Sequence, residues 1–426
     1  MRLLKSLSLG LAAASVAAGP AFAQDSAPDI APATEAAASN GLFLLIAGLL
    51  VMVMAAGFAM RQAGLVRAKS AAAIALQSFA AYALAGLTTW LVGYNLLFGV
   101  EPDGLLGVFE PWAPGPGAAA SAPAEAATWF FRMGAAAMTA MIVSGALAER
   151  LRLWPFLIFA ALITGLIYPI EASWVWGKGF LDATLSFKDF AGATLIHAAG
   201  GWAGLAGALV LGPRLGRYEG GRVNPAPGAS PPRAVLGTFL LWLGWFGLNG
   251  GAALAPGEIG DAGGLAKIFV NTNMAAAAGV VTAMAVTQIV YKKVDLAVVL
   301  SAAVGGLVSI AAEPSAPAIW QAAVIGAFGG VIVTLAGPVL DRLQIDDAAG
   351  AIPAHLLCGI WGTLIVPWSN HQASWLGQIA GIAMIGAFVF TMSTLAWMTL
   401  KYTLGIRVSA EQEQKGLDRA ELGVGA

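Results

Sequence analysis

Two stretches decide how this chain is read. The first runs Asp189-Phe-Ala-Gly-Ala-Thr-Leu-Ile-His197-Ala-Ala-Gly-Gly201-Trp-Ala-Gly204, and the second Asp347-Ala-Ala-Gly-Ala-Ile-Pro-Ala-His355-Leu-Leu-Cys-Gly359-Ile-Trp-Gly362. In both, an aspartate stands eight residues before a histidine, and glycines follow the histidine by four and seven residues. Each lies in a hydrophobic run of the length that crosses a bilayer, about 20 residues. They fall on the fifth and tenth hydropathy spans, five crossings apart, so the chain runs through the membrane in opposite directions at the two places. That is the mark of an inverted-topology repeat, whose working site lies at mid-membrane where the halves meet.

The residue types agree. An ionisable side chain within hydrocarbon costs roughly 2.5–3.5 kcal/mol on insertion scales, so it faces a partner or a cavity. His197 and His355 can serve each other: one imidazole donates an N–H and the other accepts it, at low charge. Glycines at four and seven residues keep one helix stripe thin and allow close helix approach. Two rivals exist for the pair. Each histidine could bond a backbone carbonyl on its own, which the repeat disfavours, or both could ligate a haem, which the glycines disfavour. His371, the remaining histidine, falls in a loop and reads as solvated.

Working outward, 58% of the 426 residues are hydrophobic and 11% charged, whereas soluble domains carry roughly a quarter charged residues. Hydropathy places spans at about 41–60, 71–98, 128–148, 153–173, 190–212, 234–255, 265–290, 295–312, 317–340, 350–368 and 375–400. The expected fold is an all-α polytopic membrane protein of about 11 transmembrane helices: an inverted 5+5 repeat plus one C-terminal helix. A net charge of −1 leaves no electrostatic footprint for nucleic acid. The single cysteine, Cys358, cannot form an internal disulfide, and no Cys/His cluster has metal-ligand spacing. No nucleophile–base pair or cofactor fingerprint occurs either, so neither an enzyme nor a cofactor is expected.

The ends read separately. Arg2 and Lys5, the apolar run Leu7 to Ala18 and the motif Ala21-Phe22-Ala23 form a signal peptide over 1–23. Residues 24–40, rich in Ala and Pro with Asp25, Asp29 and Glu35, read as a loose periplasmic lead-in. The transmembrane domain is then 41–401 and the polar tail 402–426. Of the 22 Lys and Arg, two belong to the signal and sixteen fall on segments expected inside. Only Arg132, Lys178, Lys188 and Lys267 fall on the outer side or at span edges. Positive charge stays inside, which puts the mature N-terminus outside and the C-terminus in the cytoplasm of a bacterial inner membrane protein.

With these features in view, the chain resembles the ammonium transporter family (Amt/Mep/Rh) over nearly its whole mature length. The resemblance is carried by Gly145-Ala-Leu-Ala-Glu-Arg150, Asp189-Phe-Ala-Gly through His197, Gly244-Trp-Phe-Gly-Leu-Asn249 and Phe269-Val-Asn-Thr-Asn273. Asp346-Asp347 to His355-Leu-Leu-Cys-Gly-Ile-Trp-Gly362, and Arg407 to Asp418, continue it. It implies a homotrimer with one pore per subunit, ammonium or ammonia as substrate, and a cytoplasmic partner of the PII nitrogen-regulatory type. Carried over by residue, it makes His197 and His355 the twin pore histidines and Asp189 the buried carboxylate near the outer site. Trp176 would hold a cation against its ring, and Phe131 would be one aromatic of the outer gate. Three positions depart from the family pattern: Ala135 and Leu248 replace phenylalanines, and Ala252 replaces a serine that helps bind the cation. Near Ala311-Ala312 an expected Thr-Pro is missing.

Ammonium is close to potassium in size, so a size filter would select poorly. Binding the ion outside, removing its proton and passing ammonia through an apolar channel selects better. Trp176 can supply a cation–π attraction of about 2 kcal/mol when partly desolvated. Plainer roles compete: Trp176 as an interfacial belt tryptophan, Asp189 as a helix N-cap, and the tail as a solvated terminus. Two other functions also fit: a receptor of the same fold that senses ammonium with little flux, and a neutral-gas or small-amine channel.

Overall fold

Hydrocarbon offers a backbone no hydrogen-bond partners, so each crossing segment must satisfy its own N–H and C=O groups, and a helix does this. The computed structural model describes residues 32–114, 122–254 and 262–424. The expected signal peptide lies outside these residues. Among them, nine helices are long and apolar enough to cross a membrane, and two shorter apolar helices join them. In chain order they are α1 (Pro32–Leu65), α2 (Ala68–Phe98), α3 (Ala124–Leu147), α4 (Leu153–Ser173), α5 (Ala193–Leu211) and α6 (Pro231–Ala252). Next come α7 (Gly263–Tyr291), α8 (Leu296–Ala311), α9 (Ile319–Arg342), α10 (Ile352–Trp368) and α11 (Trp375–Thr403). The short pair is α8 and α10.

Two local differences from the sequence reading have simple causes. Helix α1 starts at Pro32, within the segment expected to be loose. The run Ala33-Thr-Glu-Ala-Ala-Ala-Ser39 is rich in the strongest helix former and simply extends the first crossing. The loop between α5 and α6 also holds a small antiparallel ribbon, Tyr218–Glu219 against Arg222–Val223. Gly220 and Gly221 turn it, at φ +59° and +73°, values a two-residue hairpin turn requires and glycine adopts freely.

The halves interlock through glycine. Helices α1 and α6, the first of each half, share the most extensive packing between any two helices. A Cβ on Gly64 would sit 2.4 Å from the Ala234 nitrogen, and one on Gly237 2.1 Å from the Arg61 nitrogen. Helices α5 and α10, the last of each half, cross in the same manner. A Cβ on Gly201 would lie 2.7 Å from the Leu356 nitrogen, and one on Gly359 2.3 Å from the Ala193 carbonyl oxygen. The glycines three residues further on serve a different neighbour: Gly204 abuts Ala146 of α3, and Gly362 abuts Ser309 of α8. Thus the glycine four residues past each histidine faces the opposite half, and the one seven past faces the third helix of its own half. Helix α11 lies outside the repeat, against α5.

One face carries the tail and most of the charge. Arg214, after α5, donates to Asp346 through Nε and Nη2, each at 2.8 Å, and also pairs with Glu149 after α3. Glu149 also pairs with Arg67, and Arg150 donates to the carbonyl oxygens of Gly212 and Asp346. The tail folds back as α12 (Ala410–Lys415) and α13 (Leu417–Leu422). Its carboxylates cap crossing helices: Asp418 accepts from the Ala72 and Ala73 nitrogens at 3.1 and 2.8 Å, and Glu421 from the Leu153 nitrogen at 3.1 Å. An N-terminal turn has unpaired N–H groups and a positive dipole end, so an acidic side chain suits it.

Candidate functional site

Each histidine is delivered by the same local device. Asp189-Phe-Ala-Gly192 and Asp347-Ala-Ala-Gly350 are turns whose glycines take φ +93° and +68°, a region closed to most side chains. The turn lets each aspartate face the start of the following helix. Asp189 Oδ1 accepts from the Gly192 and Ala193 nitrogens at 3.1 and 2.8 Å. Its Oδ2 accepts from Thr194 and Leu195, both at 2.8 Å. Among the described residues Asp347 accepts from Ala351 and Ile352, at 3.0 and 2.7 Å. The next equivalent donor is missing because Pro353 has no N–H. Both helices then open with a π-helical turn, Ala193–Ala198 and Ile352–Leu357, and each turn contains the histidine. Such turns are rare and gather at functional sites.

The two rings meet. His197 Nδ1 and His355 Nδ1 lie 3.3 Å apart, with ring centroids at 5.3 Å and planes 30° apart. Only one Nδ1 of such a pair can carry the shared proton, so one ring donates and the other accepts. Both rings are buried. Trp245 of α6 stacks on His197 at 4.7 Å, and Phe58 of α1 stacks on His355 at 5.8 Å. His197 Nε2 has no hydrogen-bond partner among the described residues.

At the end of α4, on the face away from the tail, Trp176 donates from Nε1 to the Asp189 carbonyl oxygen at 2.9 Å. Its ring is not open. The Arg132 guanidinium carbon lies 4.5 Å from the ring centre, and 5.6 Å from the rings of both Phe131 and Phe98. Phe131 is buried, its ring against Gly251 of α6. Ala135, Leu248 and Ala252 are buried in the same apolar cluster as Phe131. Glu171, five residues before Trp176, is fully buried, and neither carboxylate oxygen has a hydrogen-bond partner among the described residues. His371 is exposed.

Residues 42–426 match the model of the Ammonium Transporter Family. The chain belongs to that family. It is 37% identical to the ammonium transporter Amt2 of Archaeoglobus fulgidus, with 89% of this chain and 86% of that one aligned. It is 32% identical to the ammonium transporter of Bacillus subtilis, covering 88% of this chain and 95% of that one. Among solved structures it superposes on a sensor Amt protein with a TM-score of 0.86 at 31% identity, spanning 92% of this chain and all of that one. It also superposes on Mep2 of Candida albicans with a TM-score of 0.78 at 26% identity, covering 88% and 87% of the two chains. This ammonium transporter family member is therefore a multi-pass membrane protein.

Three residues at the site escaped the sequence reading. Phe58 and Trp245, which sandwich the histidine pair, each follow a glycine of the α1–α6 crossing, Gly57 and Gly244. That Gly-aromatic match across the first helix of each half was the available signal. Arg132 entered only as a charge on the less basic side. The sequence marks its neighbour Phe131 and not the guanidinium, because it gives no sign of which way an arginine side chain beside a buried aromatic turns. On the tail face a cavity of about 510 Å³ is bordered by Arg217, Tyr291, Asp295, Asp341 and Asp347, and reaches Pro353, two residues before His355.

Proposed function

We propose that this protein moves ammonium across the bacterial inner membrane by passing ammonia along the His197–His355 pair. The ion is bound at the outer face, away from the tail, and gives up its proton before passage. The single observation behind this is the contact of two buried imidazoles from oppositely running helices, one from each half, at 3.3 Å. Trp245 and Phe58 cover the pair on either side with apolar ring surface, which makes a desolvated cation costly there and a neutral amine cheap. His197 Nε2 offers a hydrogen-bonding site to the guest. Asp189 fixes the turn and the helix start that carry His197. Trp176 and Phe131 form the recruitment end, with Ala135, Leu248 and Ala252 as a lining stripped of further aromatics and of a hydroxyl. The cavity bordered by Asp341 and Asp347 is the cytoplasmic mouth.

In this reading the chain is cleaved after residue 23, lies with its N-terminus outside and C-terminus inside, and assembles as a homotrimer with one pore per subunit. The tail, α12 and α13 docked across the cytoplasmic ends of α2 and α4, is the surface a PII-type regulator would meet. The test is flux in proteoliposomes. Replacing both His197 and His355 by Leu should abolish ammonium-driven uptake while the protein stays monodisperse. Undiminished uptake by that double variant would refute the role.

A receptor is the second reading, and two observations favour it. The recruitment ring already holds a guanidinium at 4.5 Å, and the chain superposes on a sensor Amt protein with a TM-score of 0.86. Saturable ammonium binding without flux in the same liposomes would establish it over transport.

A further inference from the structure

We propose that Arg132 is a tethered cation: it occupies the ring face of Trp176 on which external ammonium would settle, and so sets the affinity of the outer vestibule. The inference rests on the reading above for the identity of the external cation and for which face is outside. Its geometry is independent of both.

A cation is drawn to the face of an aromatic ring by the ring quadrupole, best of all to tryptophan, within about 6 Å of the centroid. Arg132 meets that condition at three rings at once: 4.5 Å from Trp176 and 5.6 Å from Phe131 and from Phe98. The side chain is 6% exposed, so it is drawn into the aromatic cluster and does not snorkel to water. A guanidinium stays charged throughout the physiological range. The positive charge over Trp176 is therefore permanent, and no change of pH frees the ring.

The rest of the vestibule offers an incoming cation little to exchange for that ring. Ala135, Leu248 and Ala252 are buried and apolar, so they supply neither a second ring nor a hydroxyl. The Asp189 carboxylate is committed to four backbone nitrogens. Glu171 is buried with unbonded oxygens, so it adds no exposed anion to the surface. An ammonium ion approaching Trp176 thus meets a ring face already covered by a cation. It must displace a competitor whose effective concentration is high because it is covalently attached. The residues that depart from the family pattern and the guanidinium then form one arrangement: the lining has lost its other cation contacts, and the remaining one is self-occupied.

The test uses the full chain, with ammonium chloride as the probe, in two readouts: uptake into proteoliposomes and calorimetric titration of the detergent-solubilised protein. Arg132→Gln should lower the ammonium concentration for half-saturation by about tenfold or more, the size of a released cation–π contact plus a removed like charge. Arg132→Lys, which keeps the charge, should stay near the parent. The gain must need the ring, so Arg132→Gln combined with Trp176→Leu should return to the parent value. Should Arg132→Gln prove aggregated, Arg132→Met, which preserves the packing of the stem, carries the same expectation. The proposal is overturned if removing the charge shifts half-saturation by less than about twofold, or if the gain survives loss of Trp176. If neither parent nor variant conducts but calorimetry shows the gain, the transport reading falls and this inference stands. If the parent conducts and its affinity ignores Arg132, the reverse holds.

Discussion

Asp189 illustrates how much a single side chain settles here. Its carboxylate receives four backbone N–H bonds at the start of α5, so the plain capping role is met in full. Replacing it by Asn would turn an amide N–H₂ toward backbone donors and strand part of a buried turn, at about 1–3 kcal/mol. Asp347, with two such bonds, one of the other equivalent positions being Pro353 without an N–H, should lose less. Unfolding by SDS titration should therefore rank the variants with Asp189→Asn clearly below Asp347→Asn, and equal losses would contradict the capping account. The histidines themselves were legible from spacing, since a repeated Asp-x₇-His-x₃-Gly-x₂-Gly register in opposed spans has few other meanings. Their ring neighbours were not. Phe58 and Trp245 reach the pair only through the crossing of α1 with α6, a contact that linear distance hides.

At the scale of the helix, hydropathy located the long apolar helices of the described residues, and apart from those of α1 the observed ends fall within a few residues of the expected ones. It could not reveal the π-helical turns at Ala193–Ala198 and Ile352–Leu357. A π turn inserts one residue per ring without altering composition, so a window average passes over it. The glycine stripes, by contrast, were readable and turn out to be specific about partners. A valine at Gly359 would drive its Cβ to 2.3 Å from the Ala193 carbonyl oxygen and force α5 from α10. We expect a loss of about 1–3 kcal/mol from overpacking, together with loss of ammonium uptake as the histidines part. Gly337→Ala is the matched control, since no atom lies within 4 Å of its Cβ position. It should leave stability unchanged or raised by up to about 1 kcal/mol. Equal behaviour of the two variants in SDS unfolding would mean that close helix approach is not what these glycines provide.

For the whole molecule, the charged layer under the tail ties loops from both halves together. Arg214 holds Asp346 and Glu149, all three buried. Arg214→Met would leave two buried carboxylates without their main partner, a change worth about 3–5 kcal/mol. Burial alone would push the Asp346 carboxyl upward, but the hydrogen bonds from Arg214 and the charges of Arg150 and Arg214 outweigh it and hold it well below the usual carboxylate range. A group depressed in the folded state stabilises above its unfolded value, near pH 4, and loses that contribution as pH falls toward the folded value. The parent should accordingly weaken from about pH 4 downward. Arg214→Met, already weakened at neutral pH, should show a much flatter acid limb. Parallel acid profiles would remove Asp346 from the account.

Composition and spacing alone determined that this chain crosses a membrane about eleven times, that its halves are inverted copies, and that two histidines belong to one place. They could do so because a bilayer restricts the backbone to helices, and because the cost of an imidazole in hydrocarbon makes a repeated one conspicuous. Only tertiary structure decided which rings cover the pair, that π turns carry it, and that Arg132 rests on Trp176. Those outcomes depend on which side chains meet across crossings of distant helices, and a guanidinium at the end of a flexible three-carbon stem is aimed by its neighbours, not by its position in the chain.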